Sequence, residues 1–442
     1  MSAGTRTPTL GPILRLAWPT IVISLMQAVA LVAETKLVGR LGTEALAAYA
    51  LVLPLSLLMG MMSTGAMGGG VTSALARTLG AGKLDEARAL VVHALLIGVG
   101  LGLFFMAGVE AFAEPMFAAM GGRGDVTAMA AGYARVQFAG VPFLWLSGTL
   151  AALLRGARHM RLPAFVLSVA WLAEPALGAV LMFGVDGWIA PMGLPGMGLA
   201  YAIVFVGASA VLLVAVLRGA VGFAPAWRVP IRRELLMRIL SVGAVASAMA
   251  ALANLTSILV TAQVGRYGAA ATAAYGLAVR LEFLMIPVSF GVGAALTTMV
   301  GHSVGKGEWA RARELTWAGG RMVCVLCAVI GVVVALEPRL WTGLFSTDPE
   351  VLAMGDRCLP LIAPAYAFLG LGMTMYFASQ GAGRMRLPFT AAVARLAIAA
   401  GVGSLALNAF GWGLAGLFAC VAAGLVAFGT LIASGVRERV WS

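Results

Sequence analysis

Charge is what this sequence has least of. Only 11% of its 442 residues are Asp, Glu, Lys or Arg, against roughly 25% in soluble domains. That scarcity excludes the two or three soluble domains its length alone would allow. Histidine is also rare: His93, His159 and His302 stand far apart. There is no HExxH, GxSxG or P-loop run, so no enzymatic constellation is legible. A membrane-embedded enzyme would need His, Asp or Ser gathered near one membrane face, and the sequence shows no such cluster. The four cysteines are Cys324, Cys327, Cys358 and Cys420. Cys324 and Cys327 form a CxxC inside the apolar run MVCVLCAVIGVVVAL, which reads as helix packing rather than metal or redox chemistry. Neither a metal site nor a cofactor is expected. Only Arg6 precedes the first apolar run, without a small-residue cleavage site, so no removable signal peptide is expected.

What is present is apolar length. The chain is 61% hydrophobic with a mean hydropathy of +0.97. Segments of about 20 apolar residues, each enough to cross a bilayer as a helix, succeed one another nearly end to end. The expected class is an all-α integral membrane protein with twelve transmembrane helices. They are placed near 13–34, 46–70, 89–110, 128–152, 164–184, 198–217, 236–262, 270–299, 316–336, 351–378, 389–409 and 412–434. The net charge of +12 does not point to nucleic acid, because the basic residues sit in short loops. Most of them fall at the N-terminus, in the loops after even-numbered helices and at the C-terminus. That side is therefore expected to be cytoplasmic.

The helices come in two sets. VGRLG at 38–42 returns as VGRYG at 264–268, and Ala47-Ala48-Tyr49 as Ala273-Ala274-Tyr275, an offset of 226 residues. GARHMRLP at 156–163 returns as GAGRMRLP at 381–388, and GAGKLDEAR at 80–88 more loosely as GKGEWARAR, each offset by 225. Six helices per half put both halves in the same orientation, as parallel repeats. The expected division is an N-terminal lobe at 1–217, a basic, Pro-containing cytoplasmic linker at 218–233 and a C-terminal lobe at 234–442.

Charges inside spans are costly and point to function. Three carboxylates qualify. Glu34 stands at or near the end of the first span, where Lys36 and Arg40 leave open a second reading as a solvated acid; Val260 takes its place in the repeat. Glu174 lies deep in VLSVAWLAEPALGAVLMFG, beside Pro175, which frees backbone carbonyls one turn earlier. Glu282 has Arg280 two residues away, on a different helix face, so each needs another partner. An ion pair to a neighbouring helix and a transport role stand equal for it. Arg135 is read in the same way. Tyr133 and Gln137 flank it on one face, where they either line a polar cavity or anchor the helix at the interface.

The chain resembles the multidrug and toxic compound extrusion (MATE) family, on ETKLVGRLGTEALAAYAL at 34–51, ARTLGAGKLDEAR at 76–88 and the paired GAxxMRLP loops. Its character is DinF-like more than NorM-like. The resemblance implies two six-helix lobes around a central cavity. It also implies multidrug efflux of organic cations or similar drug-like compounds, driven by inward flow of protons or sodium ions. Pro19 corresponds to the family's kinking proline, and Glu34 and Glu174 to its two acids. Both acids are usually Asp in the family, and Ala170 replaces a frequent Asn. Acids that NorM-like members carry in helices 7 and 10 are missing around Asn254 and Leu369. The expected function is a proton-coupled antiporter, acting as a monomer in the cytoplasmic (inner) membrane with both termini inside. Glu34 and Glu174 would bind the coupling ion, with Tyr133, Gln137 and Glu282 in support. A flippase for lipid-linked or amphiphilic precursors and a sodium-coupled antiporter are the alternatives.

Overall fold

A computed structural model describes residues 10–437 and Trp441. The Arg6 region and the two chain ends invoked for topology lie outside the described residues. In a bilayer every backbone N–H and C=O must be satisfied internally, which leaves helices as the way to span it with these sequences. Among the described residues there is no β-strand; one isolated bridge joins Val185 and Ile189.

Among the described residues eleven helices are long and apolar enough to cross a membrane, and a bent pair taken as one span makes twelve. In chain order they are α1 (Leu10–Gly39), α2 (Thr43–Gly80), α3 (Leu84–Ala119), α4 (Asp125–Ala139 and Val141–Gly156), α5 (Arg161–Phe183) and α6 (Leu194–Leu217). They continue as α7 (Arg233–Gly265), α8 (Ala269–Gly305), α9 (Trp309–Leu336), α10 (Pro349–Ala382), α11 (Arg386–Asn408) and α12 (Gly413–Gly435). Nearly all run beyond the apolar segments that announce them. The second span, expected to end near 70, stays helical to Gly80, and Arg161 already opens α5. α6 begins at Leu194, ahead of the expected 198, and Arg233 belongs to α7 rather than to the linker. Polar and basic residues extend helix ends into the interface, where long side chains keep their charge in water.

Three interruptions were not expected. α4 bends by 41° at Gly140. A Cβ at Gly140 would stand 2.6 Å from Ala202 Cα, so glycine lets the backbones of α4 and α6 approach. A seven-residue π-helical segment, Met61–Met67, lies within α2, and a six-residue one, Ala397–Val402, within α11.

By contacts the chain forms two compact units. One is Pro19–Gly243, which includes the linker and the first turns of α7; the other holds the described residues on either side of it. Both units carry the repeat as geometry. In the first, Thr72 Oγ1 of α2 donates to Ala152 O of α4 at 2.9 Å. In the second, Thr297 Oγ1 of α8 donates to Phe377 O of α10 at 2.8 Å. Donors and acceptors are each displaced by 225 residues. The linker is held within its own unit: Arg232 N–H donates to His93 Nε2 at 2.8 Å, and His93 Nδ1 contacts Ala89 O at 2.8 Å. A carbonyl can only accept, so that ring nitrogen carries the proton. Arg238, on the first turns of α7, pairs with Glu86.

Candidate functional site

α1, α2, α4, α5 and α6 bring the polar groups of the first unit together. The apolar stretch before Glu34 builds a helix whose inward face carries that residue, only 7% exposed, while Lys36 and Arg40 on other faces are exposed. This placement does not fit a solvated acid. Tyr49, on α2, donates its hydroxyl to Glu34 Oε2 at 3.0 Å. Its ring lies 6.0 Å from that of Tyr133, tilted by 41°. Glu174 on α5 is 1% exposed. Its Oε2 has no hydrogen-bond partner among the described residues. Tyr133 and Tyr201 are buried in the same unit as the two acids. Pro19 and Pro175 sit inside helices that continue through them.

Tyr133 and Gln137 do share a buried face of α4. Ser56 of α2 donates to Gln137 Oε1 at 3.0 Å. Close packing fixes this face: a Cβ on Gly198 of α6 would lie 2.9 Å from Gln137 N. Arg135 points elsewhere, 3.4 Å from Glu114 and 3.9 Å from Glu110, both exposed. Tyr201 and Phe205 of α6 pack at 4.7 Å, and Phe205 meets Trp171 of α5 edge-on at 5.2 Å. Ala170, buried one turn before Glu174, offers no side-chain oxygen.

The consequence is chemical. Glu34 and Glu174 are both buried in the first unit, and among the described residues neither forms an ion pair. An ionised carboxylate buried without a partner is unfavourable.

Glu282 is not part of this group. It lies on α8 in the second unit, where Arg395 Nη2 of α11 donates to its Oε1 at 2.7 Å. Arg280 instead faces the ring of Phe345, 5.7 Å from its centre. In the regions without the expected acids, Asn254 is exposed and bonds Ala250 O, while Leu369 is buried. Tyr49, Ser56, Tyr201 and Arg395 were not among the expected site residues. Arg395 alone had a signal, as a charge within a span.

The MatE family profile matches residues 19–180 and 246–405, most of each half. An FAD transporter of Shewanella oneidensis is 25% identical over 77% of this chain and 75% of its own length. A probable multidrug resistance protein NorM of Xanthomonas campestris is 28% identical over 92% of this chain and 88% of its own. The solved structure of a MOP superfamily transporter from Pyrococcus furiosus superposes with a TM-score of 0.88, at 20% identity, over 98% of this chain and 96% of that one. With the profile spanning both repeats and the twelve-helix fold shared, this chain belongs to the MATE family of multi-pass membrane transporters and is not an enzyme.

Proposed function

We propose that this MATE transporter is a proton-coupled multidrug efflux antiporter that exports organic cations or similar amphiphilic compounds from the cytoplasm. It works as a monomer in the cytoplasmic membrane, with both termini and the basic linker inside. The observation that carries the reading is the pair Glu34 and Glu174, buried together with no basic partner among the described residues. A hard cation would need several oxygen ligands to replace its hydration shell, and Ala170 supplies none. A proton needs only a carboxylate whose hold on it differs between a dry and a wet state. Proton binding and drug binding then favour different members of an alternating-access cycle, which is what coupling requires. The multidrug resistance name of the Xanthomonas relative supports the substrate class. The name of the Shewanella relative makes FAD a necessary comparator.

The test is efflux of a cationic dye from liposomes containing the purified protein. A pH gradient alone, in sodium-free buffer, is expected to drive export, and Glu34→Gln and Glu174→Gln are each expected to abolish it while leaving the protein inserted. Export driven by a sodium gradient alone would overturn the choice of ion. Export of FAD but of no cationic dye would overturn the substrate class.

A further inference from the structure

The second unit holds an ion pair that the coupling reading does not use. Arg395 and Glu282 meet at 2.7 Å from α11 and α8, and their side chains remain 14% and 21% exposed. The guanidinium lies 6.0 Å from the ring centre of Phe428 on α12. The repeat says what stands in the same places in the first unit. At the offset of 226 that holds before the π segment, Glu282 corresponds to Ser56, the partner of Gln137. At the offset of 225 that holds after it, Arg395 corresponds to Ala170, one turn before Glu174. The pair therefore stands where the first unit has Ser56 and Ala170, on the helices that correspond to α2 and α5, while the counterparts of the acids themselves are Val260 and Ala399. The scaffold does not require it, because the same six-helix plan is built in the first unit with Ser and Ala at those positions.

We propose that Glu282 and Arg395 form a docking site for a zwitterionic part of the transported compound. A carboxylate of the ligand pairs with Arg395 and a cationic nitrogen pairs with Glu282. Partner exchange is the physical basis. A ligand carrying only a cation would take Glu282 and strand Arg395; one carrying only an anion would strand Glu282. Leaving one member of a largely buried pair without a counter-charge is strongly unfavourable. A ligand with both charges replaces each partner, and no charge is left alone. Guanidinium geometry matches a carboxylate through two parallel N–H bonds, and the Phe428 ring offers a flat neighbour for an aromatic ligand carrying that carboxylate. This inference rests on the export reading and makes compounds that bear both charges the preferred substrates within it.

The experiment uses the full-length protein in liposomes and a matched pair of dyes. One is a diaminoxanthene with a free benzoate, and the other is its methyl ester, a cation of the same shape. Wild type is expected to export both and to have the lower KM for the free acid. Arg395→Gln combined with Glu282→Gln removes the pair without stranding a charge. It is expected to raise the ratio of free-acid KM to ester KM by about tenfold or more, a readout that a purely structural pair would not move. Fluorescein, which has the anion without the cation, is expected not to compete. An unchanged KM ratio, or fluorescein competing as well as the free acid, would overturn the proposal while leaving the efflux reading intact. Export of neither dye by wild type would overturn the efflux reading, and this proposal with it.

Discussion

At the scale of single residues, the polar chemistry of the first unit turns on Tyr49 and the two acids it accompanies. A hydrogen bond to a charged group contributes about 1.5–3 kcal/mol. Tyr49→Phe removes the hydroxyl that Glu34 accepts from. It is expected to shift the ion concentration for half-maximal efflux by roughly ten- to a hundredfold, measured by dye efflux across a series of imposed gradients. If Glu34 and Glu174 act as one site, the double Gln variant is expected to be no worse than either single variant. Residual efflux in the single variants that only the double variant removes would separate them. The acids were legible because a carboxylate inside an apolar run has to be accounted for. Their company was not. Tyr49 stood in the repeated Ala-Ala-Tyr motif, but nothing in the sequence says that its hydroxyl returns across 15 residues to Glu34. The Ser56–Gln137 bond joins positions 81 residues apart and depends on how α2 packs against α4. Arg395 broke the same rule that exposed Glu174. Its partner on α8 became evident only once the helices were placed.

At the scale of elements, hydropathy located every span and misjudged most ends. An apolar window ends where polar residues begin, whereas a helix continues until its backbone turns. α2 and α8 both stop just before a glycine in the left-handed region, Gly82 at φ 71° and Gly307 at φ 80°, a conformation open to glycine at no steric cost. The bend in α4 was hidden because Gly140 resembles the many other glycines until Ala202 is seen against it. Gly140→Ala forces a methyl group to within 2.6 Å of the Ala202 backbone. Overpacking of this kind costs about 1–3 kcal/mol. The variant is expected to melt at a lower temperature in detergent and to lose activity, because α4 also positions Tyr133 and Gln137. An unchanged melting curve would show that α6 can move aside. Proline and π-helix meet at one more place. Ala397–Val402 in α11 spans the positions that correspond to 172–177 in α5, which contain Pro175. Both repeats interrupt the regular hydrogen bonding of this helix at the same level, by different means.

At the scale of the whole molecule, orientation is the first thing to measure. Cysteine introduced at Ala224, an exposed linker position, is expected to resist membrane-impermeant reagents in intact cells. Cysteine at Asp186, exposed in the loop after α5, is expected to react. The opposite pattern would invert the topology. Duplication was plain from the sequence, since whole loops return, yet one detail of it had no evident cause: the offset is 226 residues at Tyr49 and Tyr275 but 225 at Thr72 and Thr297. The structure supplies the cause. α2 has 38 residues and α8 has 37, and between Tyr49 and Thr72 lies the seven-residue π segment of α2, whereas α8 is α-helical throughout. A π turn is how an α-helix absorbs one additional residue without displacing the turns beyond it. Met61–Met67 is thus where α2 takes up the one residue that α8 lacks. Deleting Met62 should return α2 to the length of its twin and still yield an inserted protein with Thr72 facing Ala152. Deleting one residue from the middle of α8, which has no such slack, should prevent accumulation in the membrane.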